Sequence, residues 1–296
     1  MTMHADQVGI TADVVAALVA AQFPQWRAYP VRAVPSHGTV NALFRLGEEI
    51  VLRFPLQPNP GTKARAALLA EQDNARRIAA HVSLAVPEPV ALGEPGEGYG
   101  GPWAAYRWIP GETASGQRIG DADVFARDLA EFVRAVHGLD TGGRGWDGRS
   151  RGGPLRTRDD GVRHALAEST HLTDTARLTQ VWAGCLKAAA HDGADVWIHA
   201  DLMPGNLLVR DGRLVAVIDL AAVGVGDPAV DLMPAWNLLP AGARATYRDA
   251  LGVDDATWER GRGWAIVQAI VALPYYVDSN PVMADTARHT LNAVLG

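Results

Sequence analysis

The chain has 296 residues, a formal net charge of −6 and 48% hydrophobic side chains. That is ample core material and a length expected for about two domains. The acidic balance argues against a general nucleic-acid binder, which needs a basic face, and the single cysteine, Cys185, excludes an intramolecular disulfide and a thiolate metal cluster.

The N-terminal stretch MTMHADQVGITADVVAALVAAQFPQW has no basic segment followed by an unbroken apolar one, because Asp6 and Asp13 interrupt it. It does not read as a signal peptide. No apolar run approaches the roughly 20 residues that span a bilayer. A cytoplasmic protein with no membrane partner is expected. Residues 10–22 carry helical apolar periodicity with Thr11 as N-cap, and Pro24 stops the helix. YPVRAVPS, NALFRLG and EEIVLRFPL have strand length and pattern, the last two joined through Gly47-Glu48-Glu49. GTKARAALLAEQDNARRIAAHV returns to helical spacing. PEPVALGEPGEGYGGPWAAYRWIPGE holds two strand-like pieces around a Gly-rich turn. The first third is therefore α+β with an antiparallel sheet.

Beyond Gly111 helical patterns dominate: DADVFARDLAEFVRAVHGL, RDDGVRHALAE, TARLTQVWAGCLKAAA and four more near the C-terminus. Cys185 lies in the third of these and reads as an inert core thiol. The Gly/Arg-rich stretch TGGRGWDGRSRGGPLRT, residues 141–157, is expected to be a loop ordered by packing. The division predicted is a small sheet-rich lobe over 1–107 and a larger helical lobe over 108–296. There is no internal repeat.

One stretch interrupts the helices: WIHADLMPGNLLVRDGRLVAVIDLAAVGVGDPAVDL, from Trp197 to Leu232. NLLV and LVAVI flank Asp211-Gly212, a strong hairpin signal. The hairpin brings Asn206, before its first strand, opposite Asp219, after its second, with Asp201 nearby. Two carboxylates and an amide oxygen around one point suit Mg²⁺, a hard ion that takes oxygen ligands and usually keeps waters beside one or two carboxylates. Phosphoryl transfer needs such a metal, positioning, and a carboxylate to orient the attacking hydroxyl. Asp201 is the candidate carboxylate, and Asn206 and Asp219 are the candidate ligands. His199 reads as a residue that orients the loop.

The pattern His199-x-Asp201 with Asn206, then Asp219 and GDPAVDL (Gly226 to Leu232), resembles the aminoglycoside phosphotransferase family. The resemblance covers most of the chain. It implies a two-lobed, protein-kinase-like fold with a small antiparallel-sheet N-lobe and a larger helical C-lobe. It also implies transfer of the γ-phosphate of ATP or GTP, with Mg²⁺, to a hydroxyl of an antibiotic: an aminoglycoside first, a macrolide second. A metabolic kinase of the same fold, acting on a sugar, choline-like or amino-alcohol substrate, is an alternative. A non-catalytic nucleotide-binding protein is another.

Further expectations follow from the resemblance. The turn Ser36-His37-Gly38-Thr39 fits a phosphate-covering hairpin, with backbone N–H groups and the Ser36 and Thr39 hydroxyls as donors. The family's strand lysine is missing. Only Lys63 and Lys187 are present, neither on a strand, and the matching position is Arg53. Its guanidinium fork can hold phosphate or carboxylate oxygens. Glu71 is the expected partner, with Asp73 as alternative. Backbone groups near Arg107 and Ile109 should meet the base, and Tyr106 should border the back of the base pocket, favouring guanine over adenine. Asp231 is expected either to hold the catalytic loop or to cap a helix, and it counts with Trp236 and Asp278 as an acceptor candidate. Trp258, Trp264, Asp254, Asp255 and Glu259 are weaker acceptor candidates, explained equally by core packing or a solvated helix face. His137 reads as a packed or capping histidine.

Overall fold

The computed structural model describes residues 7–36, 38–59 and 61–296. Its contacts divide into two compact units. One comprises the chain up to Ala80 with Ala85–Pro110, and the other His81–Leu84 with Gly111–Gly296. Among the described residues no helix is long and apolar enough to cross a membrane.

The first unit opens with α1 (Ala12–Gln22), capped by the Thr11 hydroxyl, which accepts from the Val14 N–H at 3.4 Å. Strands β1 (Val31–Val34), β2 (Asn41–Leu46), β3 (Ile50–Pro55), β4 (Pro89–Gly93) and β5 (Trp103–Arg107) form one antiparallel sheet in the order β1-β2-β3-β5-β4. Helix α2 (Thr62–Ala79) lies between β3 and β4 in sequence. Alternation along β3 sends Ile50, Leu52 and Phe54 into the core, where Val15 and Leu18 of α1 also lie. Phe54 stacks on Trp103 with ring centroids 5.0 Å apart. A Cβ at position 93 would lie 2.0 Å from that indole, so only glycine fits there. The same alternation leaves Arg53 on the opposite face, paired in register with Ala104 and two residue pairs from Tyr106.

The second unit runs through β6 (Glu112–Thr113), α3 (Ala122–His137), α4 (Asp159–Glu168), α5 (Thr175–Cys185), β7 (Val196–Ile198), β8 (Leu207–Arg210), β9 (Arg213–Val217), β10 (Gly224–Gly226), α6 (Pro234–Asn237), α7 (Ala241–Leu251), α8 (Asp255–Tyr276) and α9 (Pro281–Leu295). Asp121 caps α3 by accepting from the Asp123 and Val124 N–H groups. Phe125, Leu129, Phe132, Val133 and Val136 recur at helical spacing and are buried. Strands β6, β8 and β9 form a small sheet, and β7 pairs with β10. The β8–β9 turn has Asp211 and Gly212 both at positive φ, 52° and 79°, the conformation a two-residue hairpin requires. Cys185 is buried, as its apolar surroundings in sequence suggest. The α+β reading holds. The four C-terminal helical patterns become α6 to α9.

Candidate active site

The site begins where β7 ends. His199 is fully buried, and Ala200 takes a left-handed conformation with φ 64°. Such a conformation is costly for a residue with a Cβ and persists only when its surroundings enforce it. Here they do. Asp231, also fully buried, accepts from the His199 N–H at 3.0 Å on Oδ2 and the Ala200 N–H at 2.7 Å on Oδ1, and His137 Nε2 also lies 3.0 Å from Oδ2. His199 closes the turn: Nδ1 accepts from the Asp201 N–H at 3.2 Å and Nε2 donates to the Ile218 carbonyl at 3.2 Å. Those two bonds assign the ring proton to Nε2.

Asp201 is thereby fixed by its own backbone. Its side chain is gripped as well. Oδ1 accepts from Arg151 Nη1 and, at 2.8 Å, from Gln268 Nε2 of α8. Oδ2 accepts from Asn206 Nδ2 at 3.1 Å, and the same nitrogen donates to the Asp201 carbonyl at 2.8 Å. The Ile218 N–H donates to the Asn206 carbonyl at 2.8 Å, which ties the hairpin's open end and puts Asp219 one residue beyond. Asp219 itself is left-handed, with φ 63° and ψ 76°.

An amide oxygen and a carboxylate are the kind of hard donors that Mg²⁺ takes. Both N–H donors' worth of Asn206 chemistry face Asp201, so the amide presents Oδ1 away from it. Among the described residues no three His, Cys, Asp or Glu side chains cluster as a metal site. A set of one carboxylate, one amide oxygen, phosphates and water needs no such cluster.

In the sheet unit Arg53 Nη1 pairs with Glu71 Oε1, and Glu71 is only 5% exposed. Glu71, not Asp73, is the partner; Asp73 pairs with Arg76 on the helix surface. The Arg53 guanidinium stands 5.5 Å from the Tyr106 ring centroid, and Tyr106 is buried. The Gly38 N–H donates to Ser36 Oγ at 2.9 Å, and Thr39 is half-buried. His37 lies outside the described residues. The Arg107 N–H donates to the Glu88 carbonyl at 2.9 Å, so that donor is already engaged; Ile109 follows, half-buried.

Comparison with known proteins bears on this geometry. The sequence profile of the phosphotransferase enzyme family matches residues 32–264. The chain belongs to the phosphotransferase enzyme family. An aminoglycoside 3'-phosphotransferase of Escherichia coli is 28% identical over 149 residues, 46% of this chain and 52% of the relative. The Salmonella typhimurium counterpart matches to the same extent. The chain thus spans about half the length of the curated relatives it matches. Among solved structures, a GDP and kanamycin complex of APH(2")-IIia aligns with TM-score 0.71 and 17% identity over 95% of this chain and 97% of that one. The macrolide 2'-phosphotransferase MphH from Brachybacterium faecium aligns with TM-score 0.60 and 21% identity over 95% and 97%. These likenesses establish the kinase-like two-lobe fold.

Within this phosphotransferase chain the acceptor candidates separate. Asp231 corrects the acceptor role: its carboxylate is buried and engaged with the loop N–H groups and His137, so it holds the loop instead. Trp236 is buried and packs against Trp258 with ring centroids 4.7 Å apart. Trp264 is buried too, and Asp255 pairs with Arg248. Asp278 is exposed in the turn after α8. Asp227 forms a buried pair with Arg260, at 2.7 and 3.3 Å, and caps the turn that follows through the Ala229 N–H.

Two residues at the carboxylate escape a motif reading. Arg151 comes from the 141–157 loop and Gln268 from α8, 50 and 67 positions from Asp201. The available signal was an arginine between turn residues in RSRGGP, and a lone polar residue in the apolar run WAIVQAIVAL.

Proposed function

We propose that the chain transfers the γ-phosphoryl group of ATP or GTP to a hydroxyl of a small-molecule antibiotic, an aminoglycoside in the first place. The observation that carries the reading is the Asp201 carboxylate. Three side-chain donors, from Arg151, Asn206 and Gln268, hold it, while the residue's own N–H donates to the His199 ring. Near-attack positioning of this kind is the main protein contribution to phosphoryl transfer. The acceptor oxygen, hydrogen-bonded to Asp201, attacks the γ-phosphorus in line. The bond from phosphorus to the β,γ-bridging oxygen breaks, its electron pair leaves with the nucleoside diphosphate, and the hydroxyl proton passes to Asp201.

Asn206 and Asp219 would hold Mg²⁺, which when bound neutralises phosphate charge. Residues 1–107 serve as the nucleotide lobe and 108–296 carry the catalytic loop and acceptor site. Arg53, oriented by Glu71, steadies the phosphates in place of the family lysine, and the Ser36–Thr39 turn covers them. Tyr106 borders the base and favours guanine, with Arg107 and Ile109 alongside. The GDP, kanamycin and gentamicin complexes of structural neighbours support nucleotide and aminoglycoside as the ligand classes. A nucleotide donor fits a cytoplasmic location.

A macrolide is the second reading, and one feature favours it. Val271 and Tyr275 follow Gln268 on one face of α8 and are 51% and 56% exposed. An acceptor with an apolar face would cover them.

The deciding experiment is a coupled nucleotide-consumption screen. ATP and GTP are tested as donors with kanamycin, gentamicin, a macrolide, choline and amino alcohols as acceptors, using wild type, Asp201→Ala and Asp201→Asn. Both variants are expected to lose about 10³-fold or more in kcat while remaining folded. Turnover by Asp201→Ala at the wild-type rate rejects the assignment. Tyr106→Met is expected to shift donor preference toward ATP, and an unchanged ATP:GTP ratio rejects the base-pocket role.

A further inference from the structure

The grip on Asp201 carries more than a fixed carboxylate. A carboxylate offers about four acceptor positions, two on each oxygen. On Asp201, Oδ1 receives Arg151 Nη1 and Gln268 Nε2, and Oδ2 receives Asn206 Nδ2. Among the described residues this leaves one acceptor position, and it is on Oδ2. We propose that Arg151 and Gln268 are positioning residues that saturate Oδ1 of Asp201, so that the acceptor hydroxyl is received by Oδ2 alone. The inference rests on Asp201 being the carboxylate that orients the acceptor.

The elements that deliver the two donors are built for it. Arg151 also donates to the Ala200 carbonyl at 3.0 Å, so its guanidinium straddles the side chain of Asp201 and the strained residue before it. The loop behind Arg151 is pinned on both sides. Asp147 Oδ1 accepts from the Arg149 and Ser150 N–H groups at 2.8 and 2.7 Å. The Gly152 carbonyl accepts from the Asp227 N–H at 2.7 Å. Gly152 has φ 85°, and a Cβ there would meet Ile198 Cδ1 at 2.3 Å, so the loop approaches β7 as closely as glycine permits. Arg158 Nη2 donates to the Arg149 and Ser150 carbonyls at 3.0 and 2.7 Å. Gln268 comes from a separate element, a 22-residue helix in which the adjoining Ala269 and Ile270 are buried. A loop and a helix thus close on one oxygen. With both lone pairs of Oδ1 occupied, rotation of the carboxylate would break two charge-assisted bonds at once, and the reactive oxygen is selected. The guanidinium also places positive charge beside the carboxylate.

The test uses the 296-residue chain and, as acceptor, whichever compound turns over fastest in the screen above. Gln268→Leu and Arg151→Gln are expected to lower kcat about 10- to 100-fold with the nucleotide KM unchanged, the size of a misaligned reacting group. Gln268→Glu is expected to be worse than Gln268→Leu, because it sets a second carboxylate against Asp201. A packing role would give the reverse order, since glutamate matches glutamine in shape. Arg151→Lys should recover part of the loss, and free guanidinium should partly rescue Arg151→Ala. Arg151 is 42% exposed in its side chain, so the Arg151 arm survives even if Gln268→Leu folds poorly. Wild-type kcat in Arg151→Gln, or Gln268→Glu milder than Gln268→Leu, overturns the proposal while an inactive Asp201→Ala keeps the parent reading. An active Asp201→Ala overturns both.

Discussion

Asp231 lies in a sequence segment full of aspartates, yet it is the one whose carboxylate the fold encloses completely. Its oxygens satisfy the N–H groups of His199 and Ala200, and its own carbonyl accepts from the Tyr247 hydroxyl at 2.8 Å. Asp231→Ala strands two buried donors and the His137 ring. A loss of about 3 kcal/mol or more is expected, read as a lower urea midpoint. A wild-type midpoint would show that the loop does not depend on it. The Asp227–Arg260 pair follows the same logic: both side chains are under a tenth exposed and doubly bonded. Arg260→Ala leaves a buried carboxylate alone and should cost about 3–5 kcal/mol, whereas loss of a surface pair such as Arg32–Glu48 should cost less than about 1 kcal/mol. At this scale the sequence was readable where chemistry and spacing coincide, as for His199, Asp201 and Asn206. It was ambiguous where one residue type serves two purposes. An aspartate reads alike whether it meets a ligand or a backbone N–H, and only burial separated Asp231 from Asp278.

Elements with a strong local signal were legible before any coordinates. The β8–β9 hairpin follows from Asp211-Gly212, whose two positive φ angles few other pairs adopt readily. The face assignment of β3 follows from alternation, which put Arg53 across from the apolar core and toward Glu71. The 141–157 loop has no period, so nothing local revealed that it carries Arg151 to the carboxylate. Its shape depends on distant partners such as Asp195, which accepts from the Trp146 N–H at 2.8 Å, and Asp227. Gly152→Ala tests that dependence. The new Cβ collides with Ile198 at a positive φ, which costs about 1–3 kcal/mol of strain and should displace Arg151. Phosphoryl transfer is expected to fall more than stability does. Unchanged kcat would show that the loop accommodates the methyl without moving Arg151.

For the molecule as a whole, titration gives a signed expectation. Hydrogen bonds lower the pKa of Asp147 through the Ser150 and Arg149 N–H groups, of Asp159 through the Trp182 indole, and of Asp254 through Thr257, each from an ordinary 3.8. These groups bind protons less readily folded than unfolded. Their stabilisation is therefore complete above the unfolded value and is lost as pH falls below about 4 through the lowered folded values. Urea midpoints measured from pH 7 down to pH 3 should drop at the acid end, and Asp159→Asn should flatten that drop. Burial pushes the Cys185 thiol up to about 12, reinforced by Glu259. A thiol reagent should label the native protein at neutral pH only as fast as it unfolds. The two lysines, Lys63 and Lys187, both lie outside the strands. Finally, the grip on the carboxylate by Arg151 and Gln268 limits how portable the motif is. A graft of Trp197–Leu232 into another scaffold would carry His199, Asp201, Asn206, Asp219 and Asp231, but leave behind the arginine and glutamine that hold Oδ1 of Asp201. Such a transplant would bear the family's signature and little of its catalytic power.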